Sequence, residues 1–333
     1  MNYIGSKQRL CQEFLPNAIR NVCGDDMSQM VFCDIFAGTG IVGRTFKTSV
    51  KSIISNDLEY YSYVLNKNYI ENTRRIADSE ALIAELNDLP LTDKGFIYNN
   101  YCLGGSGERQ YFSDHNGKKI DTIRQQIERW RTDGRLPDAT YYFLLCSLIE
   151  CADKVANTAS VYGAYLKKLK KTALQPLVLK PAEFELCDCQ NRVFNDDANS
   201  LIRHLEGDIL YVDPPYNARQ YGSNYHLLNT IAEYKAFTPQ GKTGLRDYVR
   251  SKYCSSATVQ SQFDDLIKNA RFKYIFVSYN NEGLMPVDAI KNIMSRYGKY
   301  DLLQTSYHRF KADSNRVNKA DSTIEYLHIL QKV

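Results

Sequence analysis

The amino-acid sequence predicts an α/β protein with a mainly helical insertion and a C-terminal β-hairpin. Three observations lead to this prediction. A strand, a glycine-rich turn, a helix and a second strand succeed one another near the N-terminus, helical patterns dominate the middle, and apolar strands resume after residue 190. Strands that alternate with helices are typical of a parallel sheet. The length of 333 residues allows a large core with an inserted lobe.

The first βαβ unit occupies about residues 30–73. The apolar segment MVFC, residues 30–33, predicts a buried strand, and the turn IFAGTG leads from it into a helix near Ile41. Residues 52–55 predict a second strand that ends at Asn56 and Asp57. A helical pattern then runs through LEYYSYVLNKNYIENT.

The pattern changes between about Thr73 and Cys189, where no alternating strand pattern stands out. Residues 78–89, 118–131 and 138–156 predict helices, and the apolar positions 120, 123, 127 and 130 have helical spacing. The stretch 94–117, with glycines at 104, 105 and 107, predicts a loop. We therefore assign residues 73–189 to a helical insertion and residues 1–72 plus 190–333 to the core.

Strands resume in the second part of the core. Residues 191–195, DILYVD at 208–213 and FKYIFVSYN at 272–280 are apolar enough for buried strands. The segments YDLLQTSYHRF and STIEYLHIL alternate and predict a terminal antiparallel hairpin.

Composition excludes several classes of protein. No apolar run approaches the roughly 20 residues of a membrane helix, and the N-terminus lacks an apolar signal core, so we expect a cytoplasmic protein without a membrane partner. Nine cysteines, an odd number, fit reduced thiols better than a disulfide framework. Neither the Cys187–Cys189 pair nor the five histidines have metal-ligand spacing, so we expect no metal. The net charge of +4 permits nucleic-acid binding without being diagnostic of it.

The segment DIFAGTG, residues 34–40, is the first candidate site. Gly38 and Gly40 allow a close approach of the backbone to a ligand, but with Gly43 they also fit a dinucleotide fingerprint, so the glycines alone do not decide. Asp34 can meet a cationic group such as an amino-acid ammonium and would repel a pyrophosphate. Asp57 closes the second strand, where an acid commonly holds a ribose. The two acids together favour S-adenosylmethionine over NAD.

The segment ILYVDPPY, which ends in Asp213, Pro214, Pro215 and Tyr216, is the more specific signal. Because proline cannot donate to a sheet ladder, two prolines end the strand and stiffen the chain beyond it. Asp213 is thereby held at a carboxyl end of the sheet, where open α/β folds bind ligands. The Asp213 carboxylate and the Pro214 carbonyl are two acceptors for one amino group, and Tyr216 offers a ring on which a base can stack.

These motifs, in this order, resemble the Dam-like (alpha-group) DNA adenine-N6 methyltransferases. NYIGSK at residues 2–7 resembles that family's opening motif, DIFAGTG its cofactor loop and DPPY its catalytic motif. RQYFSDHNGKKIDTIR (109–124) and SYNNEG (278–283) also look familial. The resemblance covers the whole chain. It implies a Rossmann-like core that uses S-adenosylmethionine and an insertion that serves as the DNA target-recognition lobe.

The resemblance also implies roles for single residues. Tyr3 and Lys7 would line the methionine end of the cofactor pocket, and Asp57 would hold the ribose. Asp197 would approach the adenine of the cofactor, with Asp196 an equally close candidate. The residues implied to wrap the cofactor are Phe36, Ala37, Gly38 and Gly40.

The segment 217–252 comes directly after the catalytic motif and holds six basic residues against two acids. Such a segment is a candidate for phosphate contacts, although a solvated helix face is an equally good interpretation for any single residue. Arg219 and Tyr221 lie on the expected path of a flipped nucleotide. The other candidates are Lys242, Arg246, Arg250 and Lys252.

The sequence therefore predicts a prokaryotic or phage-encoded enzyme that methylates the N6 amine of adenine in double-stranded DNA. It would serve a restriction–modification system, with a cognate restriction endonuclease as partner, or act as a solitary methylase. Cytosine-N4 methylation is the alternative, although those enzymes more often have Ser in place of Asp213. Protein-glutamine and RNA methyltransferases more often have Asn there. A non-catalytic DNA-binding subunit is the alternative from another class, and the intact DPPY and FAGTG motifs oppose it.

Overall fold

The computed structural model describes residues 7–308 and 322–332, which divide into two units. The core unit comprises residues 7–66, 185–220, 250–308 and 322–332. The helical unit comprises residues 67–184 and 221–249. Most of the predicted insertion, residues 73–189, falls in the helical unit, and the structure adds the segment 221–249 to it.

Seven strands form one sheet in the core unit, in the order β3-β2-β1-β4-β5-β7-β6. The first five strands in that order are parallel, whereas β7 is antiparallel to both β5 and β6. The α/β class and the C-terminal hairpin are thereby confirmed. The strands are β1 (Val31–Asp34), β2 (Ser52–Asn56), β3 (Arg192–Phe194), β4 (Glu206–Val212), β5 (Arg271–Asn280), β6 (Gly298–His308) and β7 (Ser322–Lys332).

Helices cover the sheet and build the helical unit. They are α1 (Phe14–Cys23), α2 (Ile41–Phe46), α3 (Tyr60–Asn66), α4 (Ser79–Asp88), α5 (Phe96–Tyr101), α6 (Asp114–Thr132), α7 (Asp138–Val155), α8 (Ala198–Leu201), α9 (Tyr221–Asn224), α10 (His226–Glu233), α11 (Val259–Asn269) and α12 (Val287–Met294). On one sheet face Phe32 of β1 stacks on Phe46 of α2, with ring centroids 4.8 Å apart. On the other, Leu210 and Ile275 share a buried cluster with Phe263 of α11. Because both faces are covered, the central strands contain continuous apolar runs, such as residues 209–212 of β4 and 274–277 of β5, rather than an alternating pattern.

The direction in which the chain builds the sheet reverses between β1 and β4. Strands β2 and β3 extend the sheet on one side of β1, whereas β4 and β5 extend it on the other. Asp34, the last residue of β1, is in register with Tyr211 of β4. The carboxyl ends of these two strands therefore lie side by side at a topological switch point, which is where open α/β sheets bind ligands.

Helix α6 organises the helical unit. Its predicted apolar positions, Ile120, Ile123, Ile127 and Trp130, are all buried. The buried Arg124 of the same helix donates to the carbonyl oxygens of Ile231 and Ala232 of α10, at 3.0 Å each. These bonds explain why the segment 221–249 belongs to this unit, which the local sequence did not indicate.

The prediction of a continuous loop over residues 94–117 is wrong, because α5 lies within it and α6 begins at Asp114. The carboxylate of Asp121 in α6 accepts hydrogen bonds from the main-chain N–H groups of Ile97 and Tyr98, at 2.9 and 2.8 Å. The first turn of α5 is therefore capped from a distant part of the chain. A cap that is supplied from another helix leaves no local sequence signal.

Three further observations concern the described residues. No helix among them is long and apolar enough to span a membrane. No group of three or more His, Cys, Asp or Glu side chains there is arranged to hold a metal ion. All nine cysteines, each within the described ranges, carry free thiols.

Asp121→Ala should destabilise the helical unit. The substitution leaves two main-chain donors of α5 and the hydroxyl of Tyr234 without their shared acceptor, at a cost of about 2–3 kcal/mol. The single tryptophan, Trp130, lies in α6, so its fluorescence during urea unfolding reports on this unit. Asp93→Ala is the matched control, since that side chain is 82% exposed, and it should unfold like the wild type. Equal denaturation midpoints for both variants would contradict the capping role.

Candidate active site

Asp213 comes directly after the last residue of β4 and lies beside a buried lysine. Its carboxylate is 3.1 Å from Nζ of Lys7, and the same ammonium is 2.7 Å from Oε1 of Glu325 in β7. The side chains of Lys7 and Glu325 are 6% and 7% exposed, and that of Asp213 is 18% exposed. One ammonium is thus shared by two carboxylates, and the three side chains carry one net negative charge when all are ionised.

The pKa values result from this arrangement. Burial raises the pKa of Asp213 to about 6, with the Lys7 ammonium opposing the rise and Glu325 adding to it. Burial would lower the pKa of Lys7, but the carboxylates of Asp213 and Glu325 raise it well above its ordinary value. Lys7 therefore stays protonated, and Asp213 is a stronger proton acceptor than an ordinary aspartate.

Glu325 was missed by the sequence analysis. It is 5% exposed, and its Oε1 also accepts a hydrogen bond from Oγ of Ser278 in β5, at 3.1 Å. Strand β7 runs antiparallel beside β5, with Glu325 in register with Asn280. A glutamate inside the predicted strand STIEYLHIL was the available signal. Its partner could not be known before the pairing of β5 with β7 was known.

Tyr216 is held in place by the segment SYNNEG, to which no chemistry was assigned from the sequence, and by Leu284 directly after it. The ring of Tyr279 meets the ring of Tyr216 edge-on, with centroids 6.4 Å apart. The carbonyl oxygen of Tyr216 accepts from the N–H of Leu284 at 2.9 Å. A Cβ at Gly283 would lie 2.1 Å from the Tyr279 ring, so only glycine allows the main chain to pass there. Pro214 is buried and Pro215 is half-buried.

Asp34 lies at the neighbouring strand end and is almost completely buried, at 1% exposure. Neither of its carboxylate oxygens forms a hydrogen bond with a described residue, although the N–H groups of Phe36 and Gly43 lie close enough to favour the charged form. Burial, together with the charges of Asp213 and Asp57, raises the pKa of Asp34 well above its ordinary value. A buried carboxylate of this kind is suited to a cationic ligand group.

Two glycines in the turn after Asp34 adopt left-handed conformations, which favour glycine. Gly38 has φ of 53° and Gly40 has φ of 76°. The N–H of Gly38 donates to Oδ2 of Asp57 at 2.8 Å, and the N–H of Glu59 donates to Oδ1 at 2.9 Å. Burial raises the pKa of Asp57, while these donors oppose the rise. The carboxylate of Asp57 is thus fixed next to the glycine turn.

The other predicted cofactor residues occupy several environments. Ala37 is buried, and the half-buried ring of Phe36 meets Tyr253 edge-on at 5.0 Å. Asp197 caps α8, since its Oδ1 accepts from the N–H of Ser200 at 3.0 Å. Asp196 is exposed, and its main chain is bonded to the Asn56 side chain at the end of β2. Tyr3 lies outside the described residues.

The predicted DNA-binding residues differ in exposure and in their partners. Arg219, Arg250 and Lys252 are exposed in the core unit, and Lys242 is exposed in the helical unit. The half-buried Arg246 forms an ion pair with Glu233, at 2.9 Å. Tyr221 begins α9 in the helical unit and stacks on Tyr225, with centroids 6.1 Å apart.

Lys242 belongs to a tight loop, residues 240–245, which is closed by two main-chain hydrogen bonds of 2.8 Å between Gln240 and Leu245. Arg109, the first residue of the segment RQYFSDHNGKKIDTIR, donates to the carbonyl oxygens of Gly241 and Lys242 at 3.0 and 3.2 Å. The hydroxyl of Tyr101 donates to the carbonyl oxygen of Gly244 at 2.7 Å. The loop is therefore held by its main chain, and the Lys242 side chain is exposed.

Comparison with known proteins shows extensive similarity. The chain is 61% identical to the type II methyltransferase M.NlaIII of Neisseria lactamica, over all of this chain and 99% of that protein. It is 37% identical to the type II methyltransferase M.CviAII of Paramecium bursaria Chlorella virus 1, over 99% of both. It is 39% identical to the type II methyltransferase M.FokI of Planomicrobium okeanokoites, where it spans all of its own length but only 53% of that protein.

A protein-family comparison agrees with these relatives. The family of D12 class N6 adenine-specific DNA methyltransferases matches residues 3–293, most of the chain. Membership implies, in general, S-adenosylmethionine as methyl donor and DNA as substrate. With this match and the identity to M.NlaIII, the chain belongs to the D12 class N6 adenine-specific DNA methyltransferases.

Proposed function

We propose that this chain transfers a methyl group from S-adenosylmethionine to the N6 amine of adenine at one specific sequence in double-stranded DNA. It would act as the modification methylase of a type II restriction–modification system in the cytoplasm of its host, beside an endonuclease that cuts the same sequence. The observation that carries the proposal is the Asp213 carboxylate, which lies at the switch point of the sheet and shares one buried ammonium, at 3.1 Å, with Glu325. The relatives named as type II methyltransferases support the same activity.

The residues around the switch point fit S-adenosylmethionine. The buried carboxylate of Asp34 would receive the ammonium of the methionine part, and Asp57 would accept hydrogen bonds from the ribose hydroxyls. Asp196 and Asp197 are both candidates for the adenine end, and the carboxylate of Asp197 also caps α8. When bound, the cofactor supplies an electrophilic methyl group on a sulfonium. The negative charges of the clustered acids would stabilise the cationic sulfonium and would repel the pyrophosphate of NAD.

The residues of the chain prepare the adenine amine as a nucleophile. Its nitrogen is a poor nucleophile because the lone pair is delocalised into the ring. The Asp213 carboxylate and the Pro214 carbonyl would accept its two hydrogens and hold the nitrogen in a pyramidal geometry. The lone pair would form the new N–C bond as the C–S bond of the methyl donor breaks and the sulfur keeps its electron pair. The nitrogen would then pass one proton to the Asp213 carboxylate. The chain's contribution is positioning and fixed negative charge.

The target base must leave the duplex before it reaches such a site, at a cost of a few kcal/mol. Stacking on Tyr216 would offset part of that cost, typically by ~1–3 kcal/mol per base. The ring is suited to this because Tyr279 fixes its orientation from the edge. Tyr216 would therefore bind the flipped base, whereas Asp213 would take part in methyl transfer.

The helical unit would serve as the target-recognition lobe, with Lys242 as one phosphate contact. In the core unit, Arg219, Arg250 and Lys252 are exposed and would add contacts to the DNA backbone. Arg246 is less suited to that role, because its charge is already balanced by Glu233.

Asp213→Ala should abolish methyl transfer while cofactor binding largely survives. The variant keeps the Lys7–Glu325 ion pair, so no buried ammonium is left without a partner. We expect kcat to fall by about 10²–10⁴-fold, as is typical when a positioned acceptor for a reacting proton is removed. The measurement is labelled methyl transfer to duplex DNA with analysis of the modified base, together with calorimetry of cofactor binding.

Asp25→Ala removes an exposed carboxylate of the core unit and is the matched control, with expected wild-type rates. Near-wild-type activity of Asp213→Ala would refute the mechanism. Formation of N4-methylcytosine, or label found only in protein, would refute the proposed substrate.

The pH dependence of kcat/KM should show an acid limb near pH 6. Burial raises the pKa of Asp213 to about 6 in the free protein, and only the ionised carboxylate accepts the hydrogens of the amine. Activity is therefore retained above this pH and falls about tenfold for each pH unit below it. A profile of kcat/KM between pH 4.5 and 8 tests this. An acid limb near pH 4, the ordinary range of an aspartate, would show that burial does not control Asp213.

Lys242→Ala should weaken DNA binding uniformly across sequences. Loss of one phosphate contact lowers the slope of log K against log salt concentration by about 1. Fluorescence anisotropy with target and non-target duplexes at several salt concentrations gives this slope. Lys94→Ala, also exposed and in the helical unit, is the matched control and should keep the wild-type slope. If Lys242→Ala keeps that slope as well, Lys242 makes no phosphate contact.

A further inference from the structure

The arrangement of Lys7, Asp213 and Glu325 requires an explanation beyond ion pairing. A lysine that only had to neutralise Asp213 would need no second acid. Removing the charge of Glu325 from water is costly, because a buried carboxylate is strongly desolvated. Two short contacts offset this cost: Glu325 lies 2.7 Å from the Lys7 ammonium and accepts a hydrogen bond from Ser278 at 3.1 Å.

We propose that Glu325 is a positioning residue for methyl transfer: by sharing the Lys7 ammonium with Asp213, it leaves one uncompensated negative charge available at Asp213. This rests on the proposed function, in which Asp213 accepts hydrogens of the target amine. Without Glu325, Lys7 and Asp213 would form a complete ion pair, and the carboxylate would be a weaker acceptor. Glu325 therefore acts through Lys7 and through its field, without touching the substrate.

The net negative charge of Lys7, Asp213 and Glu325 affects the rate because positive charge develops on the amine nitrogen during the reaction. In the proposed reaction the amine nitrogen would donate its lone pair to the methyl carbon and would carry a positive charge until it passes a proton to Asp213. A residual negative charge within hydrogen-bonding distance of that nitrogen stabilises this state more than the neutral ground state, which is the condition for catalysis. A neutral pair would offer only a dipole.

Other titratable groups also face Lys7, Asp213 and Glu325, and their titrations must be distinguished from that of Asp213. Cys11 and Tyr211 stay neutral below pH 8, because burial raises the pKa of Cys11 to about 11 and that of Tyr211 well above its ordinary value. The phenol of Tyr216 faces Lys7, with Nζ 6.0 Å from the ring centroid. Asp34 is a further acid near Asp213, and burial together with the charge of Asp213 raises its pKa well above its ordinary value. The readout must therefore be specific to Asp213.

Glu325→Gln tests the proposal, because the amide oxygen can still accept from Lys7 and Ser278 while the charge is lost. Glu325 raises the pKa of Asp213, so the variant should move the acid limb of kcat/KM to lower pH by on the order of one unit. The rate on the plateau should fall severalfold. Glu325→Asp keeps the charge and should keep the limb near its wild-type position. A role in packing alone would lower the rate of Glu325→Gln without moving the limb.

An NMR titration measures the pKa of Asp213 directly and does not depend on an activity assay. In protein with ¹³C-labelled aspartate carboxyl groups, the Asp213 signal is assigned by its loss in Asp213→Asn, and its midpoint should fall in Glu325→Gln. If this variant does not fold, the comparison is made between Lys7→Met and the double variant Lys7→Met/Glu325→Gln. In Lys7→Met the charge of Glu325 is no longer paired with the ammonium, and the double variant removes that charge. The titration midpoint of Asp213 should therefore be lower in the double variant than in Lys7→Met.

The outcomes separate the two proposals. A wild-type protein that methylates adenine, together with an unchanged Asp213 midpoint in Glu325→Gln, overturns the role of Glu325 and leaves the proposed function intact. A folded wild-type protein that transfers no methyl group to cognate DNA overturns both. A lower midpoint with a severalfold lower plateau rate supports the role of Glu325.

Discussion

The parallel pairing of β1 with β4 is the constraint on which the site depends. It places the ends of two strands side by side, with an acid at each: Asp34 is the last residue of β1, and Asp213 directly follows β4. Two carboxylates at one sheet edge repel each other, and the charge of Asp213 is one cause of the raised pKa of Asp34. Cations stabilise an edge of this kind. Lys7 supplies one from within the protein, and the sulfonium and ammonium of the proposed cofactor would supply the others.

The buried ammonium of Lys7 needs negative partners for stability, while the proposed reaction needs negative charge at Asp213. Removing Lys7 from water is unfavourable unless both its charge and its N–H donors are satisfied. Asp213 alone would satisfy it, but at the expense of the acceptor strength that the proposed reaction needs. A second acid from β7 satisfies the lysine and leaves Asp213 partly uncompensated. The antiparallel strand β7, which lies between β5 and β6, is therefore part of the site as well as part of the sheet.

Local patterns were sufficient for much of this structure. The central strands, the glycine turn and DPPY could be located from the sequence because each depends on residues close together in the chain. Glu325 and α5 could not, because each is defined by a partner more than twenty residues away: Lys7 for Glu325, and Asp121 for Ile97 and Tyr98. For the same reason the segment 221–249 was assigned to the core, although Arg124 bonds it to α6.

The loop at residues 240–245 shows how a protein can vary its contacts while it keeps its scaffold. Arg109 and Tyr101 bind the carbonyl oxygens of Gly241, Lys242 and Gly244 and no side chain of the loop. Left-handed conformations at Gly241 and Gly244, with φ of 63° and 68°, complete the turn. The side chains at positions 242 and 243 can therefore change without loss of the loop's shape. If this loop meets DNA, differences in affinity among relatives would arise at these two positions, whereas Arg109 and the glycines would have to be retained.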